Sequence, residues 1–224
     1  LHEFGITAGP VFFQSDFGER GAIKNAVGNV GLNVTGFYYI PLTQYRTSFT
    51  ENFKIRTEIS FMSTELKHHG KYVDANTDLA KKLEGMRSKV TAVSAGVQLE
   101  YYPWQTEEYF RHTIFYPYMS AGTHFTSYNA EAYSKNGPIG IPSTTPVKYM
   151  EGFKSTSGTT MSISGSIGTR IKFDDHNGII IDGRLQYYFT DWMDGMNPSR
   201  RTYTENKTND WSAFLNIGYI HIID

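Results

Sequence analysis

Over residues 160–173 the chain sorts into two chemical sets with a period of two. Met161, Ile163, Gly165, Ile167, Thr169, Ile171 and Phe173 form one set; Thr160, Ser162, Ser164, Ser166, Gly168, Arg170 and Lys172 form the other. Successive side chains of an extended strand point to opposite faces, whereas a helical period would mix the two sets. The separation recurs in 89–103, where Val93, Ala95, Val97, Leu99 and Tyr101 alternate with Ala92, Ser94, Gly96, Gln98 and Glu100. It recurs again in 210–223, where Trp211, Ala213, Leu215, Ile217 and Tyr219 oppose Asp210, Ser212, Phe214, Asn216 and Gly218. Five further segments, 1–14, 30–40, 53–66, 113–127 and 179–192, read as strands from alternation or from β-forming runs between turn signals.

Every odd-numbered connection between these eight strands is longer than every even-numbered one. Outer-membrane barrels carry this asymmetry, with short periplasmic turns and longer extracellular loops. The expected fold is therefore all-β: one domain over 1–224, an eight-stranded antiparallel up-and-down transmembrane barrel with a plugged polar lumen. An even strand count puts both termini on one side, expected to be periplasmic in the bacterial outer membrane. The chain opens on a strand-like segment, and a secretory signal removed beforehand is the expectation. Asp174-Asp175-His176-Asn177-Gly178 has hairpin-turn chemistry. Thr77 to Met86 reads as a short capped helix, with Leu79, Leu83 and Met86 on one side. The loop 128–159 reads as irregular, with Tyr149, Met150 and Phe153 as a possible strand extension.

Composition narrows the class. Sixteen Tyr, 15 Phe and 3 Trp suit pleated surfaces. A net charge of −1 lacks the basic footprint of a nucleic-acid binder. Mean hydropathy is −0.41, and no apolar run is long enough for a transmembrane helix. Membrane strands hide their lipid-facing residues among polar ones, so this average leaves a barrel open. The absence of cysteine excludes disulfides, thiolate metal sites and cysteine nucleophiles.

Alternation alone does not say which face meets lipid, and a soluble lipocalin-like barrel with the sense reversed is the alternative. Three features favour lipid outside. The polar faces carry charges of both signs, Glu3, Arg56, Glu58, Glu100, Arg170, Asp182 and Arg184, which are expected to pair across a narrow lumen. Aromatic residues gather near strand ends and fit two interfacial girdles: Tyr38, Tyr39, Tyr101, Tyr102, Trp104, Tyr187, Tyr188, Phe189, Trp192, Trp211 and Tyr219. The strands are long enough to cross a bilayer when tilted. An ion pathway through the same charges is the rival reading to a mutually paired plug.

No catalytic constellation stands out, and no cofactor or metal set is expected. His124 lies on the inner face with Ser120 and Ser162 to Ser166 as neighbours to weigh for a hydrolytic triad; a hydrogen-bonded packing role is the plainer reading. His68-His69 point to opposite sides of an extended chain, which reads as an exposed loop pair rather than a metal site. Arg200-Arg201 reads as a solvated outer loop able to touch lipopolysaccharide phosphates. The turns 41–46 and 103–111 exceed what a hairpin requires. Tyr45, Arg46, Trp104, Tyr109, Phe110 and Arg111 there are residue types enriched at interface anchors. Membership of the girdle is the alternative for these aromatics.

The opening His2-Glu3-Phe4-Gly5-Ile6-Thr7-Ala8-Gly9, followed by Asp16 and by Gly28 to Tyr39, resembles the start of small outer-membrane barrels of Bacteroidota, the PorG-like family. The likeness spans about the first 40 residues, and residues 14–21 depart from the family's loop, which leaves a paralogue as the alternative. The resemblance implies a barrel that contacts outer-membrane lipids and the periplasmic lipoprotein ring subunits of the type IX secretion and gliding machinery. It implies no catalytic residue. Two rival roles stand beside it: a surface barrel binding an extracellular ligand through 67–88 and 128–159, and a lipid-modifying enzyme.

Overall fold

The computed structural model describes residues 2–17, 27–41, 52–70, 72–104, 115–199, 202–203 and 208–223. Eight antiparallel strands follow one another around a closed barrel: β1 (His2–Gln14), β2 (Val30–Ile40), β3 (Phe53–Lys67), β4 (Met86–Tyr101), β5 (Phe115–Ser134), β6 (Thr156–Lys172), β7 (Asn177–Tyr188) and β8 (Trp211–Ile223). Glu3 is opposite Ile222 and Val11 opposite Phe214, so β1 and β8 close the ring and leave no exposed sheet edge. A helix α1 (Asp78–Gly85) leads directly into β4. His2, Ile223, the turn 173–176 and the strand ends Ile40, Phe53, Tyr101 and Phe115 lie at one end, the terminus end. The strand ends Gln14, Val30, Lys67, Met86, Ser134, Thr156, Tyr188 and Trp211 lie at the other, the loop end, where the stretches of sequence between strands are longer.

The outer wall is apolar. Ile167 and Leu32 are each 72% exposed, and Ile59, Phe125, Leu185, Leu215 and Ile217 are exposed beside them. The inner faces of the same strands are buried and polar: Ser162, Ser164 and Ser166 on β6, Asp182, Arg184 and Gln186 on β7. A water-soluble barrel would need the reverse, because this much contiguous apolar surface is not left in water. The soluble alternative is thereby set aside.

The sense then inverts towards the loop end. Glu65, Lys89 and Glu131 sit side by side on the outer face across β3, β4 and β5. Behind them Leu66, Val90, Ala130 and Tyr128 turn inward into a buried apolar cluster with Phe13, Phe17, Phe153, Met193 and Met196. Hydrocarbon outside selects apolar-out, and water outside selects apolar-in, so the row of charges marks where the lipid-facing belt stops. From Phe53 to Phe61 on β3 the outward residues are uncharged, a stretch that matches the roughly 9–11 residues of a tilted spanning strand.

This inversion explains where β5 and β6 outrun the predicted 113–127 and 160–173. Pairing continues through Tyr128↔Gly158, Asn129↔Ser157 and Ala130↔Thr156, but outward Asn129 and Ser157 no longer show the lipid-facing pattern. The loop expected over 128–159 is therefore irregular only over 135–155. There Tyr149 belongs to a short 3-10 turn, and Phe153 makes a single bridge to Met196 in place of the expected strand extension. Residues 189–192 do not continue β7, and they enter the loop-end cluster through Trp192. The helix expected over 77–86 spans Asp78–Gly85, with the Thr77 hydroxyl accepting from the Ala80 amide at 3.2 Å. At the tight turn, Asp174 accepts from the His176 amide and from the Asn177 side chain, both at 2.8 Å.

Candidate functional site

The lumen is the candidate site, and its polar side chains arrive from every quarter of the ring. Arg56 on β3 is 1% exposed at its centre. Its Nη1 lies 2.8 Å from Glu100 on β4, its Nε 3.2 Å from Glu58 and its Nη2 3.9 Å from Asp182 on β7. Arg184 reaches across the barrel to hold Glu58 with both terminal nitrogens, at 2.5 and 3.0 Å. That two-pronged pairing is the strong form of an arginine–carboxylate contact. Tyr39 and Tyr102 each donate a hydroxyl to Glu100, at 2.9 and 2.6 Å, and Tyr118 donates to Asp182 at 2.8 Å.

A second knot lies towards the terminus end. Glu3 accepts from Lys54 at 2.6 Å and from Arg170. Arg170 also lies over the face of the Tyr39 ring, 4.9 Å from its centre, which joins the two knots through one tyrosine. The deeper knot holds two arginines against three carboxylates, and the outer knot two cations against one. Taken together, Lys54, Arg56, Arg170 and Arg184 balance Glu3, Glu58, Glu100 and Asp182. Buried charges persist only when paired in this way. All seven charges singled out from the sequence thus take part in one of the two knots.

Sequence reasoning missed Lys54, Tyr39, Tyr102 and Tyr118. Lys54 had a visible signal, since it shares the parity of Arg56 and Glu58 on one strand. Tyr39 and Tyr102 were expected in the interfacial girdle, and so was Tyr188. All three turn inward instead and are buried, because adjacent strand residues alternate and only Tyr38, Tyr101 and Tyr187 can face lipid beside them. Trp192 likewise packs against the loop-end cluster rather than standing in a girdle.

His124 is buried with its Nε2 2.9 Å from Glu58. The hydroxyls nearby pair elsewhere: Ser120 with Gln98 and Ser166 at 2.6 Å each, Ser162 with Gln186 at 2.8 Å, and Ser94 with Thr126 at 2.8 Å. A nucleophile must sit within hydrogen-bond reach of its base, and the recorded partner of this imidazole is a carboxylate.

One loop feature differs from expectation. His68 is buried, not exposed: its ring packs 4.9 Å from Phe17 and 5.8 Å from Tyr149. Burial and the neighbouring Arg87 push its pKa down to about 3. Among the described residues no three ligand-type side chains gather to hold a metal. At the loop end Asp194 is fully buried and accepts from the backbone amides of Asp16 at 3.0 Å and Met196 at 2.7 Å. Burial, and then the charge of Asp16, hold its carboxyl well above the usual range. Of the docking candidates Trp104 is 58% exposed at the terminus end. Tyr45, Arg46, Tyr109, Phe110 and Arg111 lie outside the described residues, as do Arg200 and Arg201.

No family model matches the chain, and no curated protein sequence does. Solved structures do. The chain is similar to Neisserial surface protein A, with a TM-score of 0.52 and 10% identity over 99% of this chain and 97% of that one. It is also similar to a major outer membrane protein from Thermus thermophilus, with a TM-score of 0.54 and 12% identity over 98% of each. Identities this low speak for the fold alone. A closed eight-stranded wall, apolar outside and charge-paired within, in a fold shared with outer-membrane proteins, makes this chain an outer-membrane β-barrel.

Proposed function

We propose that the barrel is a structural, non-enzymatic component of a multiprotein envelope complex, with both termini in the periplasm and its partners docked at the terminus-end rim. The observation that carries this reading is the packing of the lumen. Among the described residues, two interlocked charge knots and an apolar cluster at the loop end occupy the interior, which shifts the work to the rims. The long connections at one end and short ones at the other follow the orientation of outer-membrane barrels. At the terminus end Trp104 offers the exposed aromatic type that anchors interfaces. The PorG-like opening supplies the partner class: periplasmic lipoprotein ring subunits of type IX secretion and gliding. Native purification in mild detergent after crosslinking should recover such subunits, and Trp104→Ala should reduce their yield. Recovery of porins alone would count against the reading.

A second reading has an observation of its own. Val147 is 80% exposed on the loop-end cap, with Ile141 and Leu79 also exposed. Lys82 ties α1 to this loop by donating to the Pro142 carbonyl at 2.6 Å. Such a surface suits an extracellular ligand. Val147→Ser with Leu79→Ser should then abolish ligand binding while the periplasmic partners still co-purify.

A further inference from the structure

At the terminus end the lumen opens as a cleft of about 240 Å³. Its inner wall is Glu3 with Lys54 and Arg170, its sides include Tyr102, Ile220 and Ile222, and Lys172 and Asp175 stand at the lip. Among the described residues the lining carries three cations and two carboxylates, and Glu100 of the deeper knot adds its charge close to Lys54 and Arg170. Lys172 pairs with Asp175 at 2.9 Å, but the Asp175 side chain is largely in solvent. Lys54 and Arg170 share the single carboxylate of Glu3. Arg170 carries five N–H donors in a planar fork, and it holds Glu3 through Nη2 alone. The cleft therefore joins an apolar side to a guanidinium whose fork still has donors to offer.

We propose that this mouth is a socket for the C-terminal carboxylate of an apolar-ended protein segment, a proposal that rests on the docking reading above and names the chemistry of the docked group. A carboxylate entering along Ile220 and Ile222 meets Arg170 and Lys54 at the bottom, where a fixed guanidinium fork suits its geometry. The apolar side of the terminal residue lies against the two isoleucines and Tyr102. Cavities for free small ligands generally run to roughly 300–1,000 Å³, and this smaller volume suits the end of a chain anchored elsewhere on the rim. A membrane lipid is the poorer occupant. The charged groups Glu3, Lys54 and Arg170 come from inward faces of β1, β3 and β6, while acyl chains run along the other side of that wall, the side to which Ile171 and Ile179 at the rim belong.

The test uses the full chain in nanodiscs and fluorescence polarisation of a labelled Ser-Gly-Ile-Phe peptide. The free-carboxylate form should bind saturably and weaken with added salt, and the C-terminal amide should bind about tenfold or more weakly. Arg170→Gln should cost a comparable factor. Because Arg170 also braces Glu3, Lys172→Gln at the lip serves as a second variant that leaves both knots in place, and a smaller loss is expected from it. Equal binding of acid and amide would overturn the socket, and so would displacement of the peptide by dihexanoylphosphatidylcholine, which has no free carboxylate and would make the site a lipid site. Peptide binding without any co-purified periplasmic protein would sink only the docking reading. A co-purified partner indifferent to Arg170→Gln and Lys172→Gln would sink only the socket.

Discussion

Glu58 is the residue on which most lumen contacts converge. Arg184 grips it with two nitrogens, Arg56 lies 3.2 Å away and His124 2.9 Å. Removing one member of a buried ion pair leaves its partner uncompensated and typically costs about 3–5 kcal/mol. Glu58→Ala should show a loss of that order in urea unfolding of the detergent-folded barrel. The double variant Glu58→Ala with Arg184→Met should recover part of it, since it removes the orphaned charge as well. Equal stability of Glu58→Ala and wild type would contradict the plug. His68 offers a second measurement at this scale. Its folded pKa of about 3 lies below the usual histidine value, so the unfolded loop binds a proton first as pH falls. Its contribution is intact above about pH 6.5, where both forms are neutral, and declines as pH drops through the window towards 3. The protection factors of the amides of residues 66–70 against hydrogen exchange should fall across that window, and His68→Phe should flatten the response. Asp194 acts in the opposite sense, because a raised carboxyl pKa favours the folded state at acid pH.

Among the elements, the strands were legible wherever lipid enforced alternation and illegible where it did not. β2 is observed over its expected span, and β6 matches its expected faces residue by residue from Met161 to Ile171. The loop-end extensions of β5 (128–134) and β6 (156–159) were not seen, because beyond Ser127 the lipid-facing pattern of polarity no longer holds. The helix α1 was visible from Thr77 and the Leu79/Leu83 spacing, since capping and amphipathicity are local. Thr77→Ala should cost about 0.5–2 kcal/mol of local stability. Faster amide exchange confined to 78–85, with the unfolding midpoint of the barrel unchanged, is the expected result. A fall in the global midpoint would mean that the cap and the barrel unfold as one unit.

For the molecule as a whole, the decisive property is the inversion of polarity along the barrel axis. Ile167, paired through Gly183 to Leu215, sits near the middle of the apolar belt. Ile167→Arg should destabilise the folded barrel by about 2–4 kcal/mol, the cost of a cation at the bilayer midplane. Lys89→Ala, in the charged row above the belt, should cost little. The pair of variants, followed by folding yield in lipid vesicles, tests where the membrane ends. From the residue order alone came the strand number, the two faces of most strands and the set of charges that share the inner one, because these depend on a period of two within short segments. Which charge meets which was settled only by closure of the barrel. Arg184 and Glu58 are 126 positions apart, and Arg170 and Glu3 are 167 apart. Barrel closure likewise brought the hydroxyls of Tyr39 and Tyr102 to one carboxylate, Glu100, and balanced four cations against four carboxylates, since strand stagger and ring size, not local pattern, determine what lies opposite across a lumen.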